Sequence, residues 1–144
     1  MNEEELEKGL ATLEVLKAQI SNLQAQIEAL QKSIQEHTSA KETIEGYMNM
    51  ENDEILVPIG AGVLISARVN EKKGLITIGN ELYTELPLDK LLEKIEKRKK
   101  DLEDLQLKLS TDLKKLQENY AILSAKVEQD YAKYIEERKN VQGP

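Results

Sequence analysis

The chain has 144 residues, a formal net charge of −7 and 33% charged side chains, with five Tyr and no Cys, Phe or Trp. A compact core of this size draws much of its buried area from large aromatics, and disulfides or thiolate metal sites require cysteine. Composition therefore excludes both and leaves Leu and Ile to build helix seams, the mark of long helices or coiled coils. The acidic balance argues against nucleic acid and anionic lipid as partners, because phosphate binding leans on clustered Lys and Arg. The densest basic run, Lys97-Arg98-Lys99-Lys100, sits among Glu93, Glu96, Asp101, Glu103 and Asp104 and reads as a solvated helix face. Nothing approaches the length of an apolar membrane span, and Met1-Asn2-Glu3-Glu4-Glu5 lacks the pattern of a signal peptide. A cytoplasmic chain is expected.

The first element is a helix over residues 1–50. Alternating steps of three and four give Leu6, Gly9, Leu13, Leu16, Ile20, Leu23, Ile27, Leu30, Ile34, His37, Lys41 and Ile44. Every seam position from Leu13 to Ile34 is Leu or Ile, which marks a face that packs on another helix. The seam weakens at His37 and Lys41, where polar residues cost stability but can fix register or let helices splay. His37 is the only histidine. With no suitably spaced ligand set and no orienting partner or pocket for acid–base work, it reads as a half-buried seam residue.

Helical periodicity fails after Gly46. Asn49 to Asp53 carries turn chemistry, and residues 54–86 follow as four short strand-like runs: Ile55–Ile59, Val63–Val69, Leu75–Ile78 and Leu82–Leu86. Asn70-Glu71-Lys72-Lys73-Gly74 reads as a hairpin loop in which glycine supplies positive φ. Gly60-Ala61-Gly62 lacks the Lys-Ser/Thr and the following helix of a phosphate loop and reads as a strand-to-strand corner. Two hairpins this apolar are marginal alone, and their edges invite pairing with another chain. The insert is thus the expected oligomerisation element, through Ile55, Val57, Ile59, Val63, Ile65, Val69, Ile76, Ile78 and Leu82.

A second helix is expected over 87–139, with Pro87 in its first turn and residues 140–144 as a loose tail. Leu88, Leu91, Ile95, Arg98, Leu102, Leu105 and Leu109 share one heptad frame; Leu113, Leu116, Tyr120, Leu123, Val127, Asp130 and Tyr134 share another. The extra step of four between Leu109 and Leu113 is a stutter, expected opposite Ile20 to Leu23. Antiparallel pairing sets Ile44 against Leu88 or Leu91, Leu30 against Leu102, Leu13 against Tyr120 and Leu6 near Val127. At 1.5 Å per residue each helix would reach on the order of 65–70 Å. Leu6, Leu10, Leu13, Val127, Tyr131, Tyr134 and Ile135 then gather where partner helix runs out. Such an apolar cluster marks either an interaction site or an end frayed among ordinary seam residues.

The order helix, two hairpins, helix, with Leu56-Val57-Pro58-Ile59-Gly60-Ala61-Gly62 opening the β segment and Ile76-Thr77-Ile78-Gly79 later, resembles the alpha class of the archaeal prefoldin family over nearly the whole chain. Leu86-Pro87-Leu88-Asp89 departs from it, since relatives often carry Ser or a similar cap there. The resemblance implies an α+β fold: a long antiparallel two-helix coiled coil with two β-hairpins inserted between the helices, which oligomerise into a β-barrel platform. It implies two alpha and four beta subunits that hold unfolded proteins at the coiled-coil ends without ATP and deliver them to a group II chaperonin, itself contacted mainly through beta subunits. No cofactor is expected. Among rival readings, an enzyme lacks a nucleophile–base pair, metal cluster or phosphate loop, and a nucleic-acid arm lacks a basic stripe. A structural prefoldin-like subunit that self-assembles into homo-oligomers or filaments stays open.

Overall fold

The computed structural model describes residues 3–141. Its elements follow in the order α1 (Glu3–Met48), β1 (Glu54–Gly60), β2 (Val63–Arg68), β3 (Lys73–Gly79), β4 (Leu82–Pro87) and α2 (Leu88–Val141). Residues 32–103 form one compact unit and residues 3–31 with 104–141 another. α2 includes Asn140 and Val141, and the rest of the expected tail, 142–144, lies outside the described residues.

Helix ends obey simple electrostatics. Glu3, Glu4 and Glu5 stand in the first turn of α1 and Arg138 and Lys139 in the last turn of α2, each set opposing the partial charge of its helix end. The last turn of α1 has no basic residue of its own. Lys72, between the hairpins, supplies the charge, its Nζ donating to the Met48 carbonyl at 3.4 Å.

Every position of the α1 seam from Leu6 to Ile44 is buried or half-buried, Gly9, His37 and Lys41 included. The α2 seam departs from expectation at one place. Leu105 is 45% exposed, while Gln106 is half-buried and donates its amide to Gln31 Oε1 at 2.8 Å. Consecutive steps of four therefore run Arg98, Leu102, Gln106, upstream of the expected stutter at Leu109–Leu113.

Facing pairs are shifted as well, by about one turn along α2. In the unit that holds both chain ends, Gln31 meets Gln106, and Gly9 meets Val127, whose Cγ2 lies 2.8 Å from where a Cβ on Gly9 would be. In the other unit Lys41 meets Glu96. Where the strands join the helices, Ile76, Leu88 and Leu91 form one buried cluster, with Ile44, Tyr47, Leu86 and Ile95 around it, so hairpin 2 takes space beside the first turn of α2.

The strands make two separate antiparallel pairs, β1–β2 and β3–β4. β2 does not pair with β3, so Asn70–Gly74 is a connector and not a hairpin loop. Gly74 belongs to β3 and has no positive φ. Its lack of a side chain serves close approach, since a Cβ there would lie 2.8 Å from Leu91 Cδ1. Pro87 likewise ends β4, opposite Lys73, instead of opening α2, and Leu88 donates its N–H to the Lys72 carbonyl at 3.2 Å. The hairpins share one plan offset by nineteen residues. Each has an irregularity, after Pro58 or Thr77, and then a two-residue turn. The turn residues Ala61 and Gly62, or Asn80 and Glu81, all have positive φ, between 47° and 72°, the type I′ geometry that suits strand twist.

Two glycines of α1 test this packing in opposite directions. Gly46 has open space around a new Cβ, so Gly46→Ala is expected to stabilise the chain by up to about 1 kcal/mol. Gly9→Leu, pressed against Val127, is expected to destabilise it and to speed amide exchange in the first turns of α1. Exchange there at the unaltered rate contradicts the close Gly9–Val127 contact.

Candidate functional site

Two places carry exposed apolar side chains in groups: the hairpins and the helix-pair end that includes the start of α1. On a strand, successive side chains point to opposite faces. In hairpin 1 the register sets Val57 against Ile65 and Ile55 against Ala67, so the expected residues Ile55, Val57, Ile65 and Val69 share one face with Ile59 and Val63 at its far end. Val57, Ile59, Val63 and Ile65 are 37–59% exposed, and Ile55 and Val69 are half-buried. In hairpin 2, Ile78 and Leu82 are 56% and 61% exposed.

Ile76 differs. At 8% exposure it is locked into its own chain's core with Leu88 and Leu91, so it is a packing residue and not part of an open oligomerisation face. Arg98 holds the same hairpin from α2, donating to the Thr77 carbonyl at 2.6 Å. Sequence reasoning also missed the opposite faces, where Leu56, Leu64, Leu75 and Tyr83 are 55–67% exposed. The signal was present: near-continuous apolar runs such as Ile55–Ile59 belong to strands covered on both sides.

The helix-pair end divides in a similar way. Leu6 and Val127 are buried, at 6% and 5% exposure, and Leu13 is half-buried. They close the seam and are not open to a ligand. Asp130 and Tyr134 stay half-buried too, so the seam reaches as far as Tyr134. The open part is Leu10, Tyr131 and Ile135, at 49%, 52% and 36% exposure. Beside it a groove of about 200 Å³ is lined by Tyr131, Tyr134, Ile135, Arg138 and Lys139. The Arg138 guanidinium lies 5.9 Å from the Tyr134 ring centre, a cation–π distance.

The polar stretch of the α1 seam proves to be internally satisfied. His37 Nδ1 lies 2.7 Å from the Ser33 carbonyl. Lys41 Nζ reaches Glu96 Oε1 at 2.5 Å. Their hydrogen bond and charge attraction raise the Lys41 ammonium above the usual lysine range and hold the Glu96 carboxyl below the usual carboxylate range. Glu96 lies outside the heptad seam, so its role was invisible to a seam count. Among the described residues no three His, Cys, Asp or Glu gather in a way that could hold a metal ion, and no helix is long and apolar enough to cross a membrane.

Comparison with known proteins agrees with this architecture. The family model described as Prefoldin subunit matches residues 16–133. The chain belongs to the prefoldin family. It is 31% identical over 121 residues to prefoldin subunit alpha of Methanobrevibacter smithii, covering 83% of each chain. It is 29% identical to prefoldin subunit alpha of Pyrococcus horikoshii, covering 89% of this chain and 88% of that one. Against prefoldin subunit alpha 1 of Thermococcus kodakarensis it is 36% identical over 67% of each chain. A chain from the cryo-EM structure of filamentous PFD from Methanocaldococcus jannaschii is similar with a TM-score of 0.51 at 24% identity, over 87% of this chain and 99% of that one. At that identity the likeness concerns the fold, which is the α+β coiled-coil fold of prefoldins. Membership makes the chain a chaperone-type subunit of a non-enzymatic class.

Two outcomes follow for this prefoldin chain. Ile76→Ala is expected to cost about 2–5 kcal/mol in urea unfolding, whereas exposed Ile78→Ala is expected to stay within about 0.5 kcal/mol. Equal losses would contradict the assignment of Ile76 to the chain's own core. For the ion pair, the contribution from Glu96 is complete above the ordinary carboxylate range and disappears as pH falls through its depressed value; that from Lys41 is complete below the ordinary lysine range and disappears as pH rises past its elevated one. The urea-midpoint loss caused by Glu96→Gln is therefore expected at neutral pH and to vanish in strong acid; a pH-independent loss contradicts the pairing.

Proposed function

We propose that this chain is an alpha-type prefoldin subunit that works in the cytoplasm as an ATP-independent holdase. Its hairpins join prefoldin beta subunits, two alpha with four beta, in a β-barrel platform. Leu10, Tyr131 and Ile135, with the Tyr134 groove, take apolar segments of unfolded client proteins, which pass on to a group II chaperonin. The observation that supports this most is the presence of two separate open apolar surfaces on a chain that buries few side chains of its own. Each client contact is weak, since burying a whole Leu side chain is worth roughly 1.5–3 kcal/mol. Several ends acting on one client add by effective concentration.

Homo-oligomers or filaments form the second reading, favoured by the shared plan of the two hairpins, which gives one kind of chain two like assembly elements. Native mass of the chain alone and then with a beta subunit separates the two. The holdase reading expects a mixed assembly, and a large homo-oligomer that takes up no beta subunit overturns it.

Leu10, Tyr131 and Ile135 replaced together by Ser are expected to leave assembly intact. The protein needed to suppress aggregation of a denatured test protein is expected to rise roughly tenfold. Leu6 and Val127 are unsuitable for this test because both are buried in the seam. Undiminished suppression by the triple variant would sink the client-site assignment.

A further inference from the structure

In the unit that holds both chain ends, heptad position sorts the exposed side chains into two sides. Leu6, Leu13, Ile20 and Ile27 open the heptads of α1, and Gln106, Leu113, Tyr120 and Val127 those of α2. Second and fifth positions then flank the seam on one side, third and seventh on the other. Gly9 meets Val127 and Gln31 meets Gln106, so the helices are antiparallel and like flanks face the same way. Leu10, Tyr131 and Ile135 fall on the first side, together with Glu7, Glu14, Glu28 and Glu128 against Lys17 and Lys114.

The second side is built differently. α1 carries no charge there from Thr12 to Ala29. α2 brings Lys108, Lys115, Lys126 and Lys133, all exposed. Among the described residues none of these four has an ion-pair partner. Half-buried Asp112 is the one acid between them on this side; Glu5 and Glu136 stand beyond, at the end of the helix pair, and Lys8 lies 4.0 Å from Glu4. A chain of net charge −7 thus keeps one basic side.

That side also has a groove. Gln19, Asn22 and Gln26 of α1 stand across from Asp112 and Lys115, over half-buried Leu23 and Leu116, around a volume of about 470 Å³. Gln26 donates to Asn22 Oδ1 at 3.2 Å. Further along the same side Val15 and Ile122 are 57% and 70% exposed, level with one another by the Gly9–Val127 pairing. Val15 is eight residues from Leu23 and Ile122 six from Leu116. The two apolar spots are therefore about 10 Å apart, two turns of a helix laid along the groove.

We propose that this side docks an acidic amphipathic helix of another protein, with apolar residues at i and i+7 and Asp or Glu beside them. Such a helix lays its apolar stripe in a groove between helices. One apolar residue covers Leu23 and Leu116, and the other covers Val15 and Ile122. Acids repeated every two turns match Lys108 with Lys115, and Lys126 with Lys133, each pair seven residues apart. The uncharged α1 flank repels no acid. A nucleic-acid strand fits worse: with a phosphate every ~3.4 Å it meets a lysine only at every third phosphate or fewer, and it has no use for Val15 and Ile122. The site faces away from Leu10, Tyr131 and Ile135, so it holds whether or not those residues take clients.

Fluorescence anisotropy tests it, with the full chain and a labelled helical peptide of Glu, Ala and Leu whose leucines recur every seven residues. Three further probes are the same peptide with Lys for Glu, the same peptide with Ala for Leu, and single-stranded DNA of equal charge. The acidic Leu peptide is expected to bind roughly tenfold tighter than each of them, and more weakly as salt rises. K115E/K126E is expected to weaken it about tenfold and I122S roughly fivefold, while D112N tightens it about threefold by removing the one opposing charge. Circular dichroism matching the unaltered chain shows that the helices persist in each variant. Replacing Leu10, Tyr131 and Ile135 by Ser is expected to leave peptide binding unchanged, and K115E/K126E to leave suppression of aggregation unchanged, so failure of the client site and failure of this site are told apart. Binding indifferent to K115E/K126E or to I122S overturns the proposal. So does DNA bound as tightly as the peptide, which marks a general polyanion surface, or the Leu-free peptide bound as tightly, which marks charge alone. Binding lost in the triple Ser variant also overturns it, by assigning the peptide to the client site.

Discussion

Ile76 packed against Leu88 and Leu91 is the contact that joins strand to helix in this chain. Gly74 permits it by letting Leu91 approach the β3 backbone, and Arg98 reinforces it with a hydrogen bond to Thr77. Hairpin 2 is thereby held against the first turns of α2, and Ile44 and Tyr47 of α1 pack around the same cluster. Hairpin 1 has no equivalent anchor: Val57, the counterpart of Ile76 in the shared plan, is 37% exposed. An isolated two-stranded sheet is marginal in water, which is why the proposed function gives hairpin 1 its cover from other chains.

The apolar surface of the chain is therefore divided. Part of it goes into seams, where Leu6, Ile34 and Val127 are buried between helices. Part stays open in two groups, on the hairpins and beside Tyr131.

Much of this was legible in the sequence. The α1 seam could be counted because each position is decided by its own spacing, and the strands because glycines punctuate them. What escaped were choices made by a residue far along the chain. Leu105 and Gln106 compete for one seam position, and it is Gln106, hydrogen-bonded to Gln31, that turns inward. Lys41 looked like a weak point until Glu96 was seen beside it. Ile76 and Ile78 are alike as sequence, both apolar and on one strand face, yet only the first lies under Leu88 and Leu91. Leu6 and Val127 looked open because partner helix was expected to run out beside them, when Gly9 leaves the space that lets Val127 in.

The central claim is that hairpin 1 completes its structure on other subunits while hairpin 2 is held by its own helix. Hydrogen exchange measured strand by strand, on the chain alone and after mixing with a prefoldin beta subunit, tests it most directly. The account predicts that amides of β1 and β2 exchange quickly in the chain alone and become strongly protected in the mixture, with β3 and β4 protected from the start. Full protection of β1 and β2 in the chain alone as a monomer, or no change on mixing, would contradict it.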